Sequence, residues 1–135
     1  MLSAAALGAF AAAPAQALQP RIDYMLQCLG CHGPDGQGEP DHVPSIGATL
    51  APLARLAEGR RYLVQVPGVA QSSLSDADLA RLLNWTIATL GQAAPGSFRA
   101  FTAAEVGRYR HTPLVAVHET RARLMRQLPL ASQRP

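Results

Sequence analysis

With 135 residues, the chain has room for one small domain with attachments but not for two full domains. An apolar share of 48% against 16% charged excludes a chain too polar to fold. The cations are twelve Arg and no Lys, and a net charge of +3 without arginines interleaved among aromatics argues against nucleic acid as a partner.

Residues 1–17 read as an export leader. Leu2, Leu7 and Phe10 sit among alanines in a short apolar run, Pro14 breaks it, and Ala15-Gln16-Ala17 supplies a small-x-small cleavage pattern. A signal peptide cut after Ala17 is therefore expected, although the run lacks the basic residues that usually open such leaders. It is also short for a bilayer span, which argues against a lasting membrane anchor.

From Leu18 onward, Ile22, Met25 or Leu26, and Leu29 recur at helical spacing. The spacing predicts a short amphipathic helix whose apolar stripe packs against another helix and which delivers Cys28-Leu29-Gly30-Cys31-His32. Two thiols three positions apart can add to the two vinyl groups of a haem, while the imidazole directly after them reaches the iron from the same side. The pentapeptide thus reads as a c-type haem attachment site, with Cys28, Cys31 and His32 binding one haem c and His32 the metal ligand. The same cysteines could serve zinc only with two further ligands, or disulfide exchange only in a βαβ context, and neither is visible.

Gly33 to Pro52 holds four glycines and four prolines and reads as a loop wrapped around something, for which haem is the candidate. Short helical pieces are expected over Leu50–Ala57 and Gly59–Val66, before Pro67-Gly68 turns the chain. Ser75-Asp76-Ala77-Asp78 resembles a capping box opening a helix through Leu79, Leu82, Leu83, Ile87 and Leu90, with Gly91 ending it in the left-handed conformation. Trp85 within it is expected to pack in the core or at a haem edge.

Residues 92–135 read as a helical extension. Thr102-Ala103-Ala104-Glu105 is a second capping box, for a helix to about Arg110, and Thr112-Pro113 is expected to start another. In that last helix Leu114, Val117, Leu124, Met125 and Leu128 share one stripe with His118 and Arg121, an apolar face for the haem domain or a partner subunit. From Arg99 onward, seven arginines face two acids (+5), whereas Leu18 to Phe98 holds five against seven (−2). The basic end is either a solvated helix face or a docking face for an acidic partner.

The helix entering CxxCH, the loop with Pro44 and Gly47, and the helix opened by Leu74-Ser75-Asp76 resemble the class I cytochrome c family over Leu18 to Gly91. The resemblance implies an all-α, cytochrome c-like haem domain (18–91) in which N- and C-terminal helices cross and enclose haem, here followed by the C-terminal helical appendage (92–135). It makes Cys28 and Cys31 the thioether anchors and His32 the proximal iron ligand. It also implies an electron carrier and not an enzyme, one that passes electrons in the periplasm from a dehydrogenase to a cytochrome or oxidase, free or as a dehydrogenase's cytochrome subunit.

One departure concerns the sixth iron ligand. Family members commonly carry a methionine in the loop before the last helix, but Val64 to Ser75 contains no Met, His or Lys. Met25 is too close to Cys28 to reach the opposite haem face. The remaining candidates are Met125, His42, His111 and His118, or an open position, which would suit gas-ligand binding or peroxidase-like chemistry.

Overall fold

The computed structural model describes residues 15–40, 42–47 and 49–129, so that most of the expected leader and the arginine at 134 lie outside the described residues. Eight helices run in order among them: α1 (Ala15–Gln27), α2 (Leu29–His32), α3 (Leu50–Arg55), α4 (Ala57–Gln65), α5 (Pro67–Ala70), α6 (Asp76–Thr89), α7 (Ala103–Arg110) and α8 (Val117–Met125). Among the described residues there is no strand, only an isolated antiparallel bridge between Glu39 and Val43. The chain is all-α, as expected. The triplet Ala15-Gln16-Ala17 forms the first turn of α1.

Helix α1 packs against α6, α3 against α4, α7 against both α6 and α4, and α8 against α4. Leu79 and Ile87 of α6, Val64 of α4, Val106 of α7 and Leu124 of α8 are the largest fully buried side chains among the described residues. They belong to one apolar cluster with Tyr24, Leu53, Phe101 and Leu128. The apolar face of the C-terminal segment is therefore covered by the helices that precede it, and burial of this kind is the main favourable term in holding such short helices.

Helix α1 buries a different face from the one its leucine spacing suggests. Leu18, Ile22, Met25 and Leu26 remain 58%, 46%, 54% and 74% exposed, while Pro20, Asp23 and Tyr24 on the opposite side are buried. The aromatic residue decides the orientation. Tyr24 lies against Trp85 of α6 with ring centroids 5.8 Å apart, and its hydroxyl finds an acceptor that no leucine could use.

The caps divide similarly. Ser75 Oγ accepts from the Asp78 amide at 3.1 Å and donates to the Asp78 carboxylate at 2.5 Å, so α6 opens as the sequence predicts. Thr102 Oγ1 accepts from the Glu105 amide at 3.2 Å, but the Glu105 side chain does not return to the cap; Arg60 and Arg99 hold it instead. At the other end of α6 the left-handed residue is Gln92 (φ 48°) rather than Gly91. The Leu90 and Gly91 amides both close on the Thr86 carbonyl, which delays the reversal by one residue.

Thr112-Pro113 does not start a helix either, since α8 begins four residues later. The Thr112 carbonyl accepts from the buried Gln65 amide at 2.9 Å, which ties this stretch to α4 before the chain turns helical.

Candidate functional site

The two cysteines sit where α1 hands over to α2. The Cys28 amide still closes on the Tyr24 carbonyl at 2.9 Å, then the backbone at Cys28 leaves helical geometry (φ −126°, ψ −32°) and the chain winds one further turn. The amides of Cys31 and His32 both return to the Cys28 carbonyl, at 3.2 and 2.9 Å. Cys28, Cys31 and His32 are thus gathered on a single turn. Tyr24 fastens it from below, donating its hydroxyl to the Gly33 carbonyl at 2.6 Å.

The loop that follows folds back over this turn. The Gly38 amide donates to the His32 carbonyl at 2.9 Å, Glu39 and Val43 exchange backbone bonds at 2.9 and 2.8 Å, and the Ile46 amide reaches the Gly36 carbonyl at 2.9 Å. Gly38 takes φ 68°, and a Cβ there would lie 2.2 Å from the Val43 carbonyl oxygen, so no other residue permits the chain to cross itself so closely. The density of glycine and proline in this stretch corresponds to the crossing.

Both thiols are free, Cys28 half-buried and Cys31 exposed. Burial, with a smaller contribution from Cys31, pushes the Cys28 thiol up to about 11. Burial also lowers the His32 imidazole below the ordinary histidine range, with the Pro44 backbone opposing it. The His32 Nδ1 atom is buried and makes no well-formed hydrogen bond, although the ring lies within reach of the Pro44 backbone. A lowered pKa favours the neutral, ligating form of the imidazole, and of the two unlinked thiols on the same turn the exposed Cys31 is the more reactive and the half-buried Cys28 the less.

The alternative uses of the cysteines lack support here. Among the described residues no group of three or more His, Cys, Asp or Glu is arranged to hold a metal ion. The described residues also include no strand for a thioredoxin-like βαβ unit.

The distal-ligand candidates are not gathered at this turn. His42 is exposed, its Nδ1 paired with the Pro40 carbonyl at 3.1 Å. His111 is exposed at the end of α7, and His118 is exposed on α8. Met125 is half-buried and packs against the apolar cluster. Met25, expected to pack, lies on the exposed face of α1.

Two arginines escape a reading of the sequence. Arg60, 5% exposed, donates to both Glu105 oxygens and to the carbonyls of Ala54, Arg99 and Ala100, with its guanidinium 3.9 Å from the centre of the Phe101 ring. Arg110 donates to Asp76 and to the carbonyls of Ala70, Ser72 and Leu74. The available signal is an arginine repertoire without lysine, suited to several fixed acceptors at once. The basic end is consequently not a simple solvated face. Arg99, Arg110 and Arg123 are bonded within the chain, to Glu105, to Asp76 and to Glu58.

No protein-family profile matches the chain. It is similar to cytochrome c-552 of Thermus thermophilus, at 32% identity over 103 residues that cover 62% of this chain and 79% of that protein. A second cytochrome c-552, from a named strain of Thermus thermophilus, is also 32% identical over 103 residues, covering 62% of this chain and 70% of that protein. With that identity running through most of a cytochrome c-552, and with helices alone forming its described fold, the chain belongs to the c-type cytochromes.

Proposed function

We propose that this chain is a class I monohaem cytochrome c, exported to the periplasm, that carries electrons from a dehydrogenase to a downstream cytochrome or oxidase, either free or as the dehydrogenase's cytochrome subunit. The observation that carries the reading is the single turn bearing Cys28, Cys31 and His32, with both thiols unlinked and the His32 ring half-buried beside the Pro44 backbone. These residues fit haem. Cys28 and Cys31 would form the two thioethers, and His32 would ligate the iron through Nε2.

Haem bound here would supply a one-electron iron couple. The chain's own part is to hold and orient the group. Tyr24 braces the turn through the Gly33 carbonyl, the crossed loop covers His32, and burial keeps the imidazole neutral and able to ligate. The exposed Arg126 remains as a cation for a redox partner's acidic surface. No helix among the described residues is long and apolar enough to cross a membrane.

Expression of the full chain in a bacterial host that exports proteins and attaches haem provides the test. The mature protein should begin after Ala17, contain one haem per chain by pyridine haemochrome assay, and resist alkylation at both cysteines. A colourless product with the mass of bare peptide and two reactive thiols overturns the reading.

A second reading, a haem protein with an open iron position, is favoured by one observation: the three histidines outside the attachment turn are all exposed, and Met125 is packed against the core. Carbon monoxide added to the reduced protein separates the two. A rapid, complete spectral shift favours the open position, and an unresponsive low-spin haem excludes it.

A further inference from the structure

Helix α7 comes from the segment beyond the haem domain, yet its last residue reaches back into that domain. The Arg110 side chain is 8% exposed. Its Nη1 donates to the Leu74 carbonyl at 2.8 Å and to Asp76 Oδ1 at 2.9 Å, and its Nη2 donates to the Ser72 carbonyl at 2.7 Å and the Ala70 carbonyl at 3.3 Å. One guanidinium therefore holds three alternate carbonyls of the connection between α5 and α6, together with the carboxylate that opens α6. A rigid five-donor fork can do this, whereas an ammonium cannot reach all four acceptors at once.

Two further features show how closely α7 is fitted to this connection. A Cβ on Gly107, one turn before Arg110, would lie 2.5 Å from Asp76 Oδ2, so α7 comes close to the start of α6 and a larger residue there would displace the Asp76 carboxylate from its place beside Arg110. Ser73, midway along the clamped stretch, accepts from the Gln27 side-chain amide at 3.5 Å, and Gln27 immediately precedes Cys28. The clamped connection thus lies beside the thiol-bearing turn.

We propose that Arg110 is a positioning residue: it fixes the Ala70–Leu74 connection next to the attachment turn, and so couples the C-terminal segment to the access of small molecules to the haem and to its potential. The inference rests on the haem reading above. The connection carries no Met, His or Lys that could be anchored by bonding to iron. Its anchor is a guanidinium supplied from α7, and loosening that anchor frees the connection to open locally.

The test compares haem-bearing full-length protein with its Arg110→Lys, Arg110→Ala and Asp76→Asn variants, and with Arg108→Ala as a control on the exposed side of the same helix. Amide exchange at residues 70–75, the association rate of imidazole with the ferric haem, and the reduction potential are measured on each. Arg110→Ala should accelerate both exchange and imidazole association about tenfold or more and shift the potential, with the lysine and Asp76 variants intermediate and the Arg108 control unchanged. Unchanged exchange in the Arg110 variants overturns the clamp. Faster exchange with unaltered imidazole association and potential overturns the coupling and leaves Arg110 a structural residue only. Should Arg110→Ala fail to fold, the lysine and Asp76 variants decide by the same readouts. A wild-type product without haem refutes the proposed function instead, with the clamp then judged by exchange alone.

Discussion

Arg60 and Glu105 meet in a two-pronged ion pair, Nε to Oε1 at 2.6 Å and Nη2 to Oε2 at 2.7 Å, that joins α4 to α7. Both side chains are close to fully buried, at 6% and 11% exposed. Removing one partner strands the other, together with the carbonyls that Arg60 also serves. Arg60→Ala should therefore lower stability by about 3–5 kcal/mol, read as a drop in the guanidinium midpoint. A loss below about 1 kcal/mol would mean that the pair and its carbonyl bonds hold little of the fold.

The same pair sets an acid limit. Hydrogen bonding from Arg60 is the largest influence on the Glu105 carboxyl and, with Arg99 assisting, holds it below its ordinary value of 4.5 despite opposing burial. Because the folded-state pKa is depressed, the unfolded chain binds the proton more readily. The stabilisation is complete above the unfolded pKa and disappears as pH falls through the folded one. Glu105→Gln should flatten the stability profile below about pH 5 while lowering the plateau at neutral pH. An acid limb of unchanged steepness in Glu105→Gln would assign that limb to other carboxylates.

Helix α1 offers a comparison of faces. Leu26→Ser, on the exposed stripe, should change stability by no more than about 0.5 kcal/mol. Tyr24→Phe keeps the ring against Trp85 but leaves the Gly33 carbonyl without its 2.6 Å donor, and should cost about 1–2 kcal/mol. The reverse order of the two losses in chemical denaturation would show that the aliphatic stripe, and not the tyrosine face, is the packed one.

Periodicity and capping rules reveal α6 because local signals agree there: Ser75 is an N-cap, Leu79, Leu82, Leu83 and Ile87 are all buried, and the Ser75–Asp78 bonds form even though arginines also reach Asp76 and Asp78. The gathering of Cys28, Cys31 and His32 on one turn is equally legible, since the three are local in the chain and need no tertiary contact to be brought together. Reading fails where distant polar groups decide the outcome. The spacing from Thr102 makes Glu105 a cap for its own helix, but Arg60, forty-five residues earlier, takes its carboxylate. The leucine stripe of α1 has helical spacing, but the tyrosine finds both an aromatic neighbour and a carbonyl, which periodicity cannot foresee. Arg110 reads as tail charge because the four acceptors it binds lie 34 to 40 residues away.

The two thiols themselves should differ sharply in the haem-free chain. Burial, and to a lesser degree Cys31, raises Cys28 from 9.0 to about 11, which leaves roughly one-hundredth of the ordinary thiolate at a given pH. Since the thiolate is the nucleophile and Cys31 is exposed, iodoacetamide at about pH 8 should label Cys31 of the haem-free folded chain at least about tenfold faster than Cys28. Peptide mass spectrometry of a labelling time course measures the ratio, and in denaturant it should fall towards one. Equal rates in the folded chain would show that Cys28 is not held in its buried position there, so that the turn proposed for haem attachment is not preformed.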